Sequence, residues 1–396
     1  MVNLKKTLLI CSSPENGGVG DIFLSDAISG MEKSSLVRYT LGAQGGEEIG
    51  LWREFKTYRR RMAISRWPTV SSIALLRFNL FQRQKVLKEI EKIIVSEGVE
   101  KIWVVLSSLP LISLAERVLE NIKIPVHVMV WDAPEAMFQN HALDKFSKSY
   151  LLSGFAFSLQ NASRIAVISE GMQLDYKSKY GVDSVVIRHG VRVNESIQKS
   201  IPREGAIKII FAGSLYAKKE WNALCRALRR REFKILDRKI ELYFLGRFPR
   251  IGAKKIDDVN YLGAVSYERV SGIFSEMDMG YVPYWFLPRK SHVVRTSFPG
   301  KVSAYAAAGL PIFFHGPSYS SVAEFLKKYQ LGVGCFSLEE EEIVEGLERA
   351  VDGFHSKLHE TWKNEAKKAV EEELGIDSML RRLNFFLSQA DTSEAE

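Results

Sequence analysis

Thr296-Ser297-Phe298-Pro299-Gly300-Lys301 opens a stretch that continues through residues 302–314 as VSAYAAAGLPIFF. Its Phe-Pro-Gly segment interrupts regular structure, because proline fixes φ and lacks an N–H group while glycine is conformationally permissive. The following residues, 301–308, contain four alanines and favour a helix that ends at the glycine in position 309. The proline at 311 prevents further helix, so residues 312–314 predict a covered strand of a parallel sheet.

Lys301 lies in the first turn of this predicted helix, beside a loop that carries Ser297. Free backbone N–H groups and the helix dipole both favour an anion at a helix N-terminus. The segment therefore indicates a phosphate-bearing ligand. An ordinary loop–helix–strand unit of an α/β sheet is the alternative interpretation.

A second segment repeats this chemistry earlier in the chain. Residues 207–212 predict a buried strand, Gly213 and Ser214 form the turn after it, and Lys218 and Lys219 open the next helix. Lysine is a flexible point charge suited to a diphosphate. Either lysine would serve, and the other would then be an ordinary surface charge.

Predicted strands alternate with helices along the whole chain, and no marked hairpin signal is present. This pattern is typical of the α/β class, here with two doubly wound sheets. A polar segment around Pro202 predicts a boundary between one domain at residues 1–195 and a second at 206–375.

The 296–314 segment resembles the signature of retaining GT-B glycosyltransferases of the GT4-like group. In that group a Ser/Phe-Pro-x-Lys loop opens a helix that ends in Ala-Ala-Gly-x-Pro. The resemblance implies two Rossmann-like domains facing a cleft, with a last helix at 377–389 that crosses back onto the first domain. It also implies retaining transfer from a nucleotide-sugar to a glycan or lipid-linked acceptor in polysaccharide or glycoconjugate synthesis, with no cofactor and no metal requirement.

The resemblance implies a role for residues of both domains. The donor-binding residues it implies are Gly213, Ser214, Lys218, Lys219, Arg247, Tyr261, Ser297, Phe298, Pro299 and Lys301. Gly17, Gly18 and Gly20 belong to a loop that touches the donor phosphates or the acceptor, with a tight strand-to-helix turn as the alternative. The catalytic candidates are Asp132, which follows a predicted strand at 124–130, and His189, which replaces the family's usual asparagine. A helix N-cap is the alternative for Asp132.

Two positions depart from the family. Thr296 and Ala304 stand where its members usually carry two glutamates, of which the first faces the donor sugar and the second holds the ribose. A non-catalytic GT-B protein that binds a partner or a glycan is therefore the alternative function. The basic residues of the preceding segment, Arg289, Lys290, His292 and Arg295, are candidates to compensate for the first glutamate.

Composition narrows the partners. The chain has 396 residues, a formal charge of +8 and a pI near 9.1, which favour anionic partners. No nucleic-acid-binding motif is present. Three cysteines with no paired spacing predict neither a disulfide framework nor a metal site. No apolar run approaches the ~20 residues of a membrane span, so we expect a cytoplasmic protein.

The region from residue 52 to residue 88 is strongly basic, and aromatic residues are interleaved with its arginines and lysines. We expect these charges on helices, with Pro68 breaking the first. Such helices suit the anionic surface of a membrane, which would place the protein at its inner face. A solvated helix face is the alternative.

Overall fold

A computed structural model of the protein describes residues 5–12, 19–42, 56–61, 70–138, 141, 143–192, 205–249, 252–253 and 255–388. The chain forms two compact units: unit 1 comprises Met1–Arg188 and Met379–Glu396, and unit 2 comprises His189–Ser378. The sequence-based boundary lay a few residues later, in a segment that falls largely outside the described residues. Across the described ranges, every helix is too short or too polar to cross a bilayer.

Unit 1 is built on a parallel sheet of seven strands. The strands are β1 Thr7–Ser12, β2 Leu36–Gly42, β3 Lys56–Arg61, β4 Lys101–Val105, β5 Val126–Met129, β6 Arg164–Val167 and β7 Val185–Val186. The helices are α1 Val19–Ser29, α2 Ser71–Arg77, α3 Arg83–Glu97, α4 Leu109–Asn121, α5 Pro134–Phe138, α6 Lys145–Asn161 and α7 Glu170–Tyr180. The strand order is β3-β2-β1-β4-β5-β6-β7.

Unit 2 repeats this design. Its strands are β8 Ile207–Ala212, β9 Lys234–Ile235, β10 Arg238–Leu245, β11 Val259–Gly263, β12 Met279–Pro283, β13 Ile312–His315 and β14 Gly332–Cys335. Its helices are α8 Lys218–Arg230, α9 Tyr267–Ser275, α10 Ser291–Thr296, α11 Gly300–Ala307, α12 Ser321–Tyr329, α13 Glu340–His355 and α14 Leu358–Ala369. The last helix of the described chain, α15 Ile376–Ser388, belongs to unit 1 from Met379 onward. The parallel strands run in the order β11-β10-β8-β12-β13-β14, and β9 pairs antiparallel with β10.

Both sheets are doubly wound, because the strand order reverses at one point in each. The reversal lies between β1 and β4 in unit 1 and between β8 and β12 in unit 2. Open α/β sheets bind their ligands outside the carboxyl ends of the strands at this switch point. The prediction of an α/β protein with two doubly wound sheets is confirmed.

The last helix packs on the sheet of unit 1 through its carboxyl end. The Lys101 ammonium donates to the Leu387 carbonyl, and the Arg164 guanidinium donates to the Phe385 carbonyl over 2.9 Å. Both cations thus satisfy carbonyl groups that a helix leaves free at its C-terminus. The ring of His127 lies 5.2 Å from that of Phe386, and burial lowers the pKa of His127 to about 4.

Two sequence-based expectations about local structure, a helix over residues 56–61 and the absence of a hairpin, are wrong. Residues 56–61 are the edge strand β3 rather than a helix, because they pair with β2 along their whole length. A hairpin joins β9 and β10 through Leu236 and Asp237, which both have positive φ and give no Asn-Gly signal. The 286–296 segment is ordered as a 3₁₀ turn at Pro288–Lys290 followed by α10.

Candidate functional site

The switch point of unit 2 is fixed by one buried tyrosine of α11. The Tyr305 hydroxyl donates to the Ile210 carbonyl over 3.1 Å and accepts from the Ala212 N–H over 2.8 Å, so it ties α11 to the end of β8. Gly280 of β12 makes room for the ring, since a Cβ there would lie 2.3 Å from Tyr305 Cδ2. The start of α11 is therefore held at the carboxyl ends of β8 and β12.

Lys301, in the first turn of α11, carries its ammonium group into this position. Its Nζ lies 4.0 Å from the ring centroid of Phe211 and 4.8 Å from that of Tyr216. The atom is buried and has no hydrogen-bond partner among the described residues. Burial lowers the pKa of Lys301 to about 7. Two aromatic faces stabilise the cation here, and no carboxylate of the described residues pairs with it.

Tyr216 forms one wall of the same site. The Trp285 Nε1–H donates to the Tyr216 carbonyl over 3.0 Å, and the two rings lie 4.6 Å apart. The Tyr216 hydroxyl is buried without a partner in the part of the chain that the structure describes. Burial raises its pKa well above the usual range, so it remains a neutral hydroxyl that can donate or accept.

Glu220 of α8 adds a buried carboxylate that the sequence analysis missed. Its Oε1 accepts from the Phe286 N–H over 3.0 Å, while Oε2 is buried and unpartnered within the described ranges. Burial raises the pKa of Glu220, and its charge also raises the pKa of Tyr216. The available signal was an acidic residue directly before Trp221, where α8 turns its apolar side to the core.

Three buried polar atoms have no hydrogen-bond partner among the described residues: Lys301 Nζ, the Tyr216 hydroxyl and Glu220 Oε2. Lys301 Nζ lies 4.8 Å from the centroid of the Tyr216 ring, and the charge of Glu220 raises the pKa of Tyr216. Buried polar groups are normally hydrogen-bonded, because desolvation without a partner is costly. One cation donor, one hydroxyl and one carboxylate acceptor are suited to a ligand that carries both an anionic group and hydroxyl groups.

Replacing Glu220 with glutamine should stabilise the protein at neutral pH. A glutamate whose folded pKa lies above its unfolded value contributes full stability below the unfolded pKa and loses it as pH rises through the folded value. Glutamine keeps an oxygen for the Phe286 N–H and removes that loss. We expect Glu220→Gln to melt above wild type at pH 8 and to match it near pH 4 in thermal melts. A lower melting temperature for the variant at pH 8 would contradict this expectation.

The predicted Ser-Phe-Pro loop is held by its own contacts. The Ser297 hydroxyl donates to the Val293 carbonyl over 2.7 Å and lies 2.7 Å from the Tyr284 hydroxyl. The ring of Phe298 packs edge-on against Phe325 at 5.0 Å. Pro299 is the N-cap residue of α11, and no side chain caps the helix. The loop therefore leads directly into the N-terminus of α11, and the Ser297 hydroxyl already makes hydrogen bonds within unit 2.

The glycines predicted at this edge have steric roles. Gly213 follows β8 with φ +99, a conformation that favours glycine. Gly246 directly follows β10 and lies against Gly213, since a Cβ at Gly246 would lie 2.5 Å from the Gly213 carbonyl oxygen. Ser214 and Arg247 are exposed beside them. These residues line the carboxyl edge of the sheet next to the switch point.

Lys218 and Lys301 have different neighbours. Lys218 opens α8 and lies along Gly252, where an added Cβ would be 2.9 Å from Lys218 Cδ. Lys219 is exposed, and its charge lowers the pKa of the adjacent Glu220. The Tyr261 hydroxyl accepts from the Ile256 N–H over 3.0 Å. Donor binding by these residues stays a prediction.

The unit 1 candidates lie elsewhere in the chain. Asp132 follows β5 and keeps contact with solvent, yet desolvation by the surrounding protein raises its pKa. Trp131 packs edge-on against Phe23 at 5.5 Å. Gly20 lies in α1, and Gly17 and Gly18 fall outside the described residues.

His189 and the two positions that depart from the GT-B family lie in unit 2. His189 follows β7 and precedes the bridge between Val191 and Gly375. Thr296 is buried, with its hydroxyl donating to the His292 carbonyl over 2.9 Å. Ala304 lies within α11. A catalytic role for His189 stays a prediction.

Solved structures decide the fold. The chain is similar to the structure of a lipopolysaccharide outer core galactosyltransferase, WaaB, with a TM-score of 0.67 and 13% sequence identity. It is also similar to a sucrose-phosphate synthase from Thermosynechococcus elongatus, with a TM-score of 0.68 and 12% sequence identity. Each match covers 96% of this chain and 98% of the other chain. A third similar structure is the Anabaena protein HepE in complex with UDP and glucose, with a TM-score of 0.64 and 12% sequence identity. That match covers 98% of this chain and 100% of the HepE chain. The chain has the GT-B fold. No protein-family model and no curated protein matches the sequence.

The similarity to these structures confirms the GT-B fold that the resemblance of the 296–314 segment implied. In this GT-B protein the segment forms the loop, α11 and β13, in the order the sequence predicted. At 10–13% identity these similarities are informative about the fold, and the chemistry has to be argued from the site itself.

Proposed function

We propose that the protein is a glycosyltransferase that moves a sugar from a nucleoside diphosphate donor to a glycan or lipid-linked acceptor with retention of configuration. The observation that carries the proposal is that Lys301 Nζ and the Tyr216 hydroxyl, beside the switch point of unit 2, and Glu220 Oε2 in the first turn of α8 are buried with no hydrogen-bond partner among the described residues. A nucleotide-sugar supplies both a diphosphate and hydroxyl groups to this set.

Lys301 is the group suited to the diphosphate. Departure of a nucleoside diphosphate develops negative charge on the leaving oxygen, and a preorganised ammonium group stabilises that charge electrostatically. The uncapped N-terminus of α11 directs N–H groups toward the same anion. An anion beside Lys301 favours the charged amine, which opposes the effect of its burial.

Glu220 and Tyr216 are suited to the hydroxyl groups of the donor. The free Oε2 of Glu220 accepts a hydrogen bond, and the Tyr216 hydroxyl can donate or accept one. We propose that Glu220 supplies a carboxylate to the site, in a chain whose two usual glutamate positions hold Thr296 and Ala304. Lys218, Lys219, Arg247 and Tyr261 would complete the donor side.

The acceptor side of the proposal rests on unit 1. Asp132 follows the carboxyl end of β5 and has a raised pKa, so it is suited to contact an acceptor hydroxyl. His189, the first residue of unit 2, is the second catalytic residue of the proposal. A lipid-linked acceptor would bring the protein to the inner face of a membrane, and polysaccharide synthesis would be its pathway.

A donor screen tests the proposal. UDP-glucose is a suitable first probe because the similar Anabaena structure contains UDP and glucose, and GDP, ADP, TDP and CMP derivatives follow. We expect one nucleotide to raise the melting temperature, since a ligand that binds only the native state stabilises it. We also expect slow release of the free sugar from the matching donor. Binding without hydrolysis or transfer would favour a non-catalytic GT-B protein, and no binding by any nucleotide would refute the proposal.

A further inference from the structure

His315 is a buried histidine of unit 2 that takes no part in the proposed donor contacts. It is the last residue of β13, and its side chain is fully buried. Its Nε2 lies 2.7 Å from the Ser337 carbonyl oxygen, and its Nδ1 lies 2.9 Å from the Tyr281 hydroxyl. Burial lowers the pKa of His315 to about 4, so the ring is neutral at physiological pH. Two hydrogen bonds therefore fix the orientation of a neutral imidazole.

The partners of His315 decide which of its nitrogens holds the proton. A carbonyl oxygen only accepts, so Nε2–H donates to Ser337 and Nδ1 accepts from the Tyr281 hydroxyl. Tyr281 belongs to β12, and Ser337 lies between β14 and α13. Because β13 lies between β12 and β14 in the sheet, the side chain links β13 to the strand on one side and to the segment that follows the strand on the other.

The same histidine contacts the segment 284–286, which follows β12. The Tyr284 N–H donates to the His315 carbonyl over 2.7 Å. The ring of Phe286 packs edge-on against the imidazole, with 5.7 Å between the ring centroids. The backbone of His315 thus holds the first residue of the segment, and its side chain supports the third.

Residues 285 and 286 of this segment reach the candidate site. The ring of Trp285 lies 4.6 Å from that of Tyr216, and the Phe286 N–H donates to Glu220 Oε1 over 3.0 Å. Burial raises the pKa of Glu220, and the Phe286 N–H lowers it, because a hydrogen bond to the charged form of a carboxyl group favours that form. The position of the Phe286 N–H therefore affects how readily Glu220 releases its proton.

We propose that His315 is a positioning residue of this site, which holds the segment 284–286 so that the Phe286 N–H stays directed at the Glu220 carboxylate. The imidazole is suited to this role because any rotation of the ring would break two buried hydrogen bonds. The role of Glu220 toward a donor rests on the proposed glycosyl transfer, whereas the orientation of Phe286 does not.

Thermal melts without any nucleotide test the role of His315. Wild type, Glu220→Gln, His315→Leu and the double variant are compared at pH 5 and pH 8. In His315→Leu the Phe286 N–H loses its support, so the folded pKa of Glu220 should rise further. A glutamate with a raised folded pKa loses stability as pH rises through that value. At pH 8 the gain in melting temperature from Glu220→Gln should therefore be larger in the His315→Leu background than in wild type, by about 2 °C or more. Near pH 5 the gain should shrink in both backgrounds.

The matched control is His127→Leu, which removes a buried histidine of unit 1 whose pKa is also about 4. It should lower the melting temperature but leave the gain from Glu220→Gln unchanged. His315→Gln keeps an N–H group for the Ser337 carbonyl, so its gain should lie between those of wild type and His315→Leu.

An equal or smaller gain in the His315→Leu background would overturn the proposal, because His315 would then stabilise the fold without acting on Glu220. If His315→Leu does not fold, the comparison is made in His315→Gln, where an unchanged gain would have the same meaning. The melts contain no donor, so their outcome is separate from that of the donor screen, which tests the proposed glycosyl transfer.

Discussion

Lys301→Met should lose nucleotide binding while melting at a higher temperature than wild type. A hydrogen bond from a charged donor contributes about 1.5–3 kcal/mol. We therefore expect the variant to have an about 10- to 100-fold higher dissociation constant for the nucleotide that raises the melting temperature of wild type. The gain in stability follows from removal of a buried amine that has no hydrogen-bond partner among the described residues. Methionine fills a similar volume against the rings of Phe211 and Tyr216.

The stability difference should depend on pH with a defined sign. Burial lowers the pKa of Lys301 from 10.5 to about 7, so between these values the unfolded chain holds a proton that the folded chain releases. The burial of Lys301 therefore costs wild type no unfolding free energy above pH 10.5, and this cost grows as pH drops toward 7. Each pKa unit corresponds to about 1.4 kcal/mol, and the cation–π contacts return part of it.

Thermal melts at several pH values, with and without the nucleotide, measure both effects. The matched control is Lys327→Met, which removes an exposed lysine of α12 and should change neither property. The advantage of Lys301→Met over wild type should be larger at pH 8 than at pH 10.5. A variant that retains the nucleotide-induced shift would remove Lys301 from the site.

Local signals made the framework of unit 2 predictable from sequence. Gly309, with φ +65, directly follows Ala308, the C-cap residue of α11, and Pro311 separates the helix from β13. In unit 1, Ser169 caps α7 by accepting from the Met172 N–H over 3.0 Å. Each of these boundaries depends on one or two residues whose backbone preferences are strong, so neighbouring residues suffice to find them.

Structure that depends on distant partners was not predictable in the same way. The strand β3 carries the charged sequence KTYRRR, which has no apolar alternation, and its conformation follows from pairing with β2. Glu220 is buried, and the N–H group that donates to it belongs to Phe286, far along the chain. The sequence placed Lys301 in the first turn of a helix, which the structure confirms, but its contact with Phe211 of β8 could be found only from the fold.

Gly280→Ala should destabilise unit 2 strongly and weaken nucleotide binding with it. The new Cβ would lie 2.3 Å from Tyr305 Cδ2 and 2.5 Å from Cγ, and the ring has no free volume to retreat into because it is fully buried. Overpacking of this kind costs about 1–3 kcal/mol and occasionally more. A shift of Tyr305 would also disturb its hydrogen bonds to Ile210 and Ala212, and so displace the start of α11.

Urea unfolding of four variants, Gly280→Ala, Tyr305→Leu, the double variant that combines them, and Gly272→Ala, separates this steric effect from a general glycine effect. Gly272→Ala is the control, since its added Cβ would meet nothing within 4 Å and α9 gains helix propensity. It should be neutral or stabilising by about 1 kcal/mol. The double variant Gly280→Ala/Tyr305→Leu relieves the clash. Its loss of unfolding free energy should therefore be smaller than the sum of the losses in Gly280→Ala and Tyr305→Leu. Additive losses would mean that the Gly280–Tyr305 contact does not hold α11 in place, and the position of Lys301 would then need another support.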